Sequence, residues 1–101
     1  MLPTVIINLD SFTPNIKRIN LKCEITSDYI FAVQVKAIQQ NGEEENGDFS
    51  TNFIELLKRE DVNAPFVVYE NLNLVDEDKK MLKDQIARFA LIATLYLFNE
   101  N

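Results

Sequence analysis

The segment that most constrains this chain is its last apolar stretch, IARFALIATLYLF, at residues 86–98. It carries one charge, Arg88, and the ten residues that follow are all uncharged. As a helix, these 13 residues would be about 20 Å long, whereas a helix that spans a bilayer needs about 20 apolar residues. We therefore interpret the stretch as part of a protein core or an interface rather than as a membrane anchor.

The helix that contains this stretch should begin well before it. Asp76, Glu77 and Asp78 form an acidic run, and acidic side chains stabilise the positive end of a helix dipole. Asp76 would also accept hydrogen bonds from the free backbone N–H groups of the first turn. The sequence thus predicts one long helix over 76–98.

The apolar residues of this helix form two stripes at helical spacing. The first stripe consists of Leu82, Ile86, Phe89, Ala93 and Tyr96. The second consists of Ala87, Leu91, Leu95 and Phe98. A sheet covers a stripe about 100° wide, so the second stripe needs another cover. We predict that Leu91, Leu95 and Phe98 contact a second copy of the chain or a protein partner. The alternative is that the fold itself wraps the helix.

Alternating apolar and polar residues in the first half of the chain predict β-strands. A short strand is expected at Thr4–Leu9, and two longer ones at 17–25 and 29–38 should pair as an antiparallel hairpin. The side chains expected to be buried in that hairpin are Tyr29, Phe31, Val33 and Val35, packed against Leu21 and Cys23. The Cys23 thiol is then a small core group, because the chain has no histidine to activate it.

The most polar stretch, QQNGEEENGD at 39–48, contains Asn-Gly twice. Asn-Gly favours type I′ turns, because both residues tolerate positive φ. Three consecutive glutamates repel one another and stay in water. We therefore predict an exposed loop. The loop carries the carboxylates of Glu43, Glu44, Glu45 and Asp48. It is either a solvent-exposed turn or an acidic contact loop for a partner.

Two further elements are predicted between this loop and the long helix. Asn52 lies three residues before Glu55, which resembles a capping box, and apolar residues follow at helical spacing. We therefore predict a short helix over 52–59. The alternative is that residues 49–53 continue the sheet as a strand. Residues 66–69, FVVY, predict a short buried strand.

Together these elements predict one α+β domain over residues 1–101. Its antiparallel sheet of three to four strands would pack against a long C-terminal helix and a short middle helix. Apolar residues make up 47% of the chain and charged residues 26%, which is typical of a soluble globular domain.

Composition argues against several functional classes. The net charge of −6 disfavours direct binding to nucleic acid, because phosphate backbones attract basic surfaces. With no histidine and one cysteine, the chain lacks the usual general base and the ligands of a structural zinc site. We predict no enzymatic activity, cofactor, bound metal, small-molecule substrate or membrane partner. The absence of a basic N-terminal region and of a possible intrachain disulfide predicts a cytoplasmic protein without a signal peptide.

Three functional hypotheses follow from these expectations. The first is a small assembly or adaptor protein, of cellular, viral or mobile-element origin, that acts through protein contacts as a homo-oligomer. The second is an acidic inhibitor that mimics nucleic acid. The third is a chaperone-like protein that holds unfolded clients. The surplus apolar helix face favours the first hypothesis.

Overall fold

The computed structural model describes residues 3–58 and 68–99 and shows an α+β architecture, as predicted. Four strands come first: β1 (Thr4–Leu9), β2 (Ile16–Ile25), β3 (Ile30–Gln39) and β4 (Glu44–Asn52). Two helices follow: α1 (Phe53–Lys58) and α2 (Asp76–Asn99). The strands form one antiparallel sheet in the order β1-β2-β3-β4. Each strand therefore pairs with its neighbour in sequence.

The register of the sheet places the alternating apolar residues on one face. Across the strands, Val5 lies opposite Cys23, Cys23 opposite Val33, and Val33 opposite Phe49. Leu21 likewise lies opposite Val35. Cys23, Val33, Leu21 and Val35 are buried, which confirms the predicted pairing of the central hairpin. We call this side of the sheet the covered face and the other side the open face.

Helix α2 packs along the covered face. The predicted first stripe supplies its buried apolar side chains, which are Leu82, Ile86, Phe89 and Ala93, with Tyr96 half-buried. The ring of Phe31 lies 5.5 Å from that of Phe53, nearly parallel at 13°, and 5.7 Å from that of Phe89. These three rings join the sheet, α1 and α2, and such ring pairs add about 0.5–1.5 kcal/mol to the burial of their surface.

Tyr29 departs from the predicted hairpin. It lies in the turn before β3 with a φ of 60°, and its side chain is exposed rather than buried. The turn is closed by hydrogen bonds from the Tyr29 N–H to the Thr26 carbonyl and from the Ile30 N–H to the Thr26 hydroxyl. Because the turn needs a left-handed residue at position 29, the alternation begins one residue later than predicted. The Tyr29 carbonyl then accepts the Phe53 N–H at 2.7 Å and anchors the start of α1.

The acidic stretch at 39–48 is mostly strand rather than loop. Only residues 40–43 form a turn, and β4 begins at Glu44. The first Asn-Gly pair makes the turn, with Gly42 at a φ of 89°. The second pair lies inside β4, where Gly47 faces Val35 on the covered face. The prediction of an exposed loop over the whole stretch was therefore wrong.

Gly47 is required by a close backbone approach. A Cβ added at this residue would collide with the carbonyl oxygen of Val68. A glycine inside a strand commonly marks such a place, where a second backbone crosses the sheet. The backbone of Val68 can therefore lie against β4 only because residue 47 has no side chain.

The region between β4 and α2 also differs from the sequence-based expectation. The strand continues to Asn52 and the short helix α1 runs from Phe53 to Lys58, so both alternatives for residues 49–57 are partly right. The Asn52 side chain caps α1 by accepting the Glu55 N–H at 3.1 Å, as predicted. Residue 59 and residues 66 and 67 lie outside the described part of the chain. Val68 and Tyr69 form a 3₁₀ turn and are buried, so the strand predicted over 66–69 is wrong for these two residues.

We expect Gly47→Ala to destabilise the protein. The added methyl group must displace the Val68 backbone, and overpacking of this kind costs about 1–3 kcal/mol. Urea unfolding measured by circular dichroism would report the change. Ser50→Ala is the matched control, because Ser50 is exposed on the same strand and should change stability by less than about 0.5 kcal/mol. Equal stability of the two variants would contradict the close approach.

We expect the Cys23 thiol to react with a thiol reagent far more slowly in the native protein than free cysteine does. Cys23 is fully buried, and burial raises the pKa of its thiol to about 12. Little reactive thiolate forms at neutral pH as a result. A time course with Ellman's reagent, with and without denaturing urea, would measure the difference. Equal rates in the two conditions would mean that the strand register is wrong by one residue.

Candidate functional site on the outer face of helix α2

A buried carboxylate positions α2 on the sheet. Both carboxylate oxygens of Asp78 accept hydrogen bonds from the loop between β1 and β2. The donors are the Ser11 hydroxyl at 2.6 Å, the Phe12 N–H at 2.8 Å, the Thr13 N–H at 3.2 Å and the Thr13 hydroxyl. The Thr13 hydroxyl oxygen in turn accepts the Val75 N–H at 2.9 Å. The loop and the first turn of α2 are thereby joined at one end of the sheet.

Sequence reasoning assigned the helix cap to the wrong side chain. The bonds from the Asp78 and Lys79 N–H groups to the Val75 carbonyl make Val75 the residue that precedes the first turn. The free N–H of Val75 is satisfied by Thr13, a residue distant in sequence, rather than by Asp76. Asp78 is fully buried. Its spacing of four residues before Leu82 places it on the buried stripe of α2, which is a sequence signal that was missed.

The ionised form of Asp78 is favoured in the folded protein. Burial alone would raise the pKa of the carboxyl group, but the hydrogen bonds from Phe12, Ser11 and Thr13 outweigh it and lower the pKa below its usual value. Asp78 also lies in the first turn of α2, where a negative charge is favourable. The charge is thus compensated by donors and by the helix dipole.

The outer face of α2 presents a cluster of exposed apolar side chains. Leu91, Leu95 and Phe98 are 61%, 54% and 67% exposed, and the side chain of Ile92 beside them is 50% exposed. We call these four residues the α2 apolar patch. The structure therefore brings together the three predicted interface residues and adds Ile92. The missed signal was its spacing of three residues from Leu95, which places the two on neighbouring parts of the helix surface.

The outer face is charged nearer the start of the same helix. Glu77, Lys80, Asp84 and Arg88 lie there, around a shallow cavity that is also lined by Phe12. Two of these residues are acidic and two are basic, so this part of the face has no net charge. The first half of the outer face of α2 therefore carries charges that cancel, and the second half is apolar.

The four acidic residues predicted as a contact loop do not form one surface. The Glu45 carboxylate accepts hydrogen bonds from the Asn73 side chain at 2.9 Å and from its N–H at 3.4 Å. Glu44 lies 3.6 Å from the Lys36 ammonium group. Asp48 lies on the open face of the sheet, and Glu43 is in the turn. Two of the four carboxylates are thus engaged within the fold.

The open face of the sheet forms a shallow cavity of about 490 Å³, and most of the residues that line it are polar. Its lining includes Ile6, Asn20, Lys22 and Lys36, and the buried Oδ1 of Asn20 accepts no hydrogen bond from the described residues. A buried oxygen of this kind is commonly satisfied by an ordered water molecule. The cavity therefore has the character of the wet face of an antiparallel sheet.

Within residues 3–58 and 68–99, no three potential metal-ligating side chains of His, Cys, Asp or Glu cluster closely enough to hold a metal ion. Neither described helix contains a stretch that is both long and apolar enough to span a bilayer.

We expect Asp78→Asn to destabilise the fold by about 3 kcal/mol, since it places an amide donor among donors and removes hydrogen bonds to a charged acceptor. Asp76→Asn is the matched control in the same helical turn. Asp76 is exposed, so it should lose only the dipole contribution of about 0.3–1 kcal/mol. Chemical unfolding at pH 7 would measure both values. Equal losses in the two variants would show that the hydrogen bonds to Asp78 contribute little.

The pH dependence gives a second measurement of Asp78. Its folded pKa is lowered, so the stability that it contributes is fully present above its unfolded pKa of about 3.9 and is lost as the pH falls through the folded value. The stability difference between the wild type and Asp78→Asn should therefore be constant near neutrality and shrink below about pH 4. A difference that grows on acidification would contradict the assignment.

Helix α2 thus carries two distinct surfaces. The inner stripe of α2 packs against the sheet, and the hydrogen bonds of Asp78 fix the orientation of the helix. The α2 apolar patch therefore faces away from the sheet on a rigid element. A rigid apolar surface with no titratable group among its members is suited to contact rather than to chemistry. Comparison with protein-family models, with curated proteins and with solved structures finds no match for the chain.

Proposed function

We propose that this chain is a non-enzymatic assembly or adaptor protein that acts through protein–protein contacts as a homo-oligomer. The observation that carries the proposal is the α2 apolar patch, whose four large side chains are all half or more exposed. We further propose that the protein works in the cytoplasm, since its single cysteine is a free, buried thiol.

The size of the patch supports a second copy of the chain as its occupant. The four side chains together expose on the order of 500 Å², the size of the largest apolar patch on a typical monomer, and such patches are often functional. A stable dimer buries about 800 Å² on each partner. Two copies of α2 that pack against each other through this patch would therefore supply more than half of the required area.

The charge on the rest of the outer face is compatible with self-association. Glu77, Lys80, Asp84 and Arg88 have no net charge together, so two copies meet there without a net repulsion. Symmetric contacts bring the same surface of each copy together. A single-sign stripe on this helix would oppose such a contact, and the alternation of sign avoids that cost.

The two other hypotheses have less support from the geometry. A nucleic-acid mimic needs a row of free carboxylates, whereas Glu45 bonds to Asn73 and Glu44 lies beside Lys36. A holder of unfolded clients needs an apolar groove, whereas the α2 apolar patch lies on the convex surface of one helix. Both remain predictions that a partner-capture experiment would distinguish from self-assembly.

We expect Leu91→Lys combined with Leu95→Lys to weaken self-association by at least about 100-fold, because it places unpaired charges in an interface core. Sedimentation velocity over a concentration series would show a smaller particle than the wild type. Circular dichroism should show an unchanged fold, since both residues are exposed in the single chain.

Asp84→Lys is the matched control. It changes the net charge by the same two units on the outer face of the same helix but outside the α2 apolar patch, so it should weaken self-association far less than the double variant does. The wild type supplies a test that needs no variant. If it sediments as a monomer at tens of micromolar, or if Asp84→Lys dissociates it equally, the proposed contact is wrong.

A further inference from the structure

Strand β1 is an edge of the sheet without the usual protection against pairing. Natural edge strands carry charges, prolines or bulges that prevent another strand from adding to them. The opposite edge, β4, has Glu44, Glu45 and Asp48. In contrast, β1 has the sequence TVIINL, with no charge and no proline, and it pairs with β2 in continuous register from Thr4 to Leu9.

The side chains of β1 are incompletely buried on both faces of the sheet. Val5, Ile7 and Leu9 on the covered face are half-buried, and Ile6 on the open face is 72% exposed, the highest value among the large apolar residues that the structure describes. Within the described residues no strand lies beyond β1. Four of its six residues are therefore large apolar side chains that another strand could cover.

The backbone direction of β1 shows which of its groups have no partner among residues 3–58 and 68–99. The Pro3 carbonyl accepts the Ile25 N–H at 3.1 Å, so residue 3 points its hydrogen-bonding group toward β2. In an antiparallel ladder, alternate residues direct both their N–H and C=O groups to the same neighbour. Residues 3, 5, 7 and 9 thus face β2. Thr4, Ile6 and Asn8 consequently point their backbone groups outward, away from the sheet.

We propose that β1 pairs antiparallel with β1 of a second copy, about a two-fold axis that passes between the two Ile6 residues. The two sheets then become one continuous eight-stranded sheet with both α2 helices on the same side. Thr4 pairs with Asn8 of the second copy, and Ile6 pairs with Ile6. These three pairs use the outward backbone groups and form two hydrogen bonds each, about six in total.

Side-chain chemistry selects this register over its neighbour. With the axis at Ile6, the Ile6 side chains meet each other on the open face, and Val5 meets Ile7 of the second copy on the covered face. With the axis at Ile7, the exposed Ile6 would face the polar Asn8 instead. Paired apolar residues stabilise a ladder more than mixed pairs do. The contact is self-complementary and closed, as a two-fold interface requires.

This contact is independent of the α2 apolar patch. Ile6 lies on the open face, whereas the patch lies on the outer side of the helix that covers the other face. A chain with two different symmetric contacts assembles beyond a dimer. Disruption of the patch alone should therefore leave a strand-paired dimer.

Cysteine cross-linking tests the pairing and its register. Paired residues with mutual hydrogen bonds have Cα atoms about 5.5 Å apart, which suits a disulfide. We expect Ile6→Cys to form a covalent dimer in most of the protein under mild oxidation. Thr4→Cys is the control on the same strand and face. Its two copies would lie four residues apart along the ladder, about 14 Å, so it should cross-link at least about tenfold less.

Three further arms decide the outcome. A mixture of Thr4→Cys and Asn8→Cys proteins should cross-link, although neither does so alone. The wild-type protein should not cross-link, because its one cysteine, Cys23, is fully buried. Ile6→Lys should stay folded, since Ile6 is exposed, and should reduce the assembly to the dimer that the α2 contact holds. If Ile6→Cys cross-links no more than Thr4→Cys, or only in a mixture with Asn8→Cys, the proposed pairing is overturned. Because these readouts concern β1, failure here is distinguishable from failure of the α2 contact.

Discussion

The buried carboxylate of Asp78 determines how the helix lies on the sheet. A charge without water is costly, and it is tolerated here because donors from Ser11, Phe12 and Thr13 and the dipole of α2 surround it. No other position of α2 along the sheet would keep these bonds. The inner stripe of the helix meets the covered face for this reason, and the outer stripe points away from it. The exposure of the α2 apolar patch follows from that orientation.

The same two-layer arrangement leaves two surfaces incompletely satisfied. Helix α2 covers only one side of the sheet, and the sheet covers only one stripe of α2. The α2 apolar patch is the consequence on the helix, and the sheet itself ends in the edge strand β1. Both are apolar and neither carries a like-charged run that would keep copies apart. These are the two surfaces through which we propose that the protein associates.

Sequence patterns anticipated the elements more reliably than their connections. Strict alternation identified the buried side of β2 and β3, and helical spacing identified the buried stripe of α2. The errors have a common cause, which is that a short local motif is compatible with more than one structure. Gly47 looked like part of a turn because Asn-Gly is a turn signal, but it serves the passage of the Val68 backbone over β4. Val68 and Tyr69 looked like a strand because apolar runs are ambiguous, but they lie in a 3₁₀ turn.

The sequence by itself determined the α+β class, the faces of the central strands and the presence of a surplus apolar stripe with Leu91, Leu95 and Phe98. These features are properties of periodicity, which is local and needs no knowledge of neighbours in space. Only the tertiary structure decided which donors surround the buried Asp78, why Gly47 lacks a side chain and which strand is left as an open edge. Each of these depends on contacts between residues far apart in the chain, such as Asp78 with Thr13, and local spacing carries no record of such contacts.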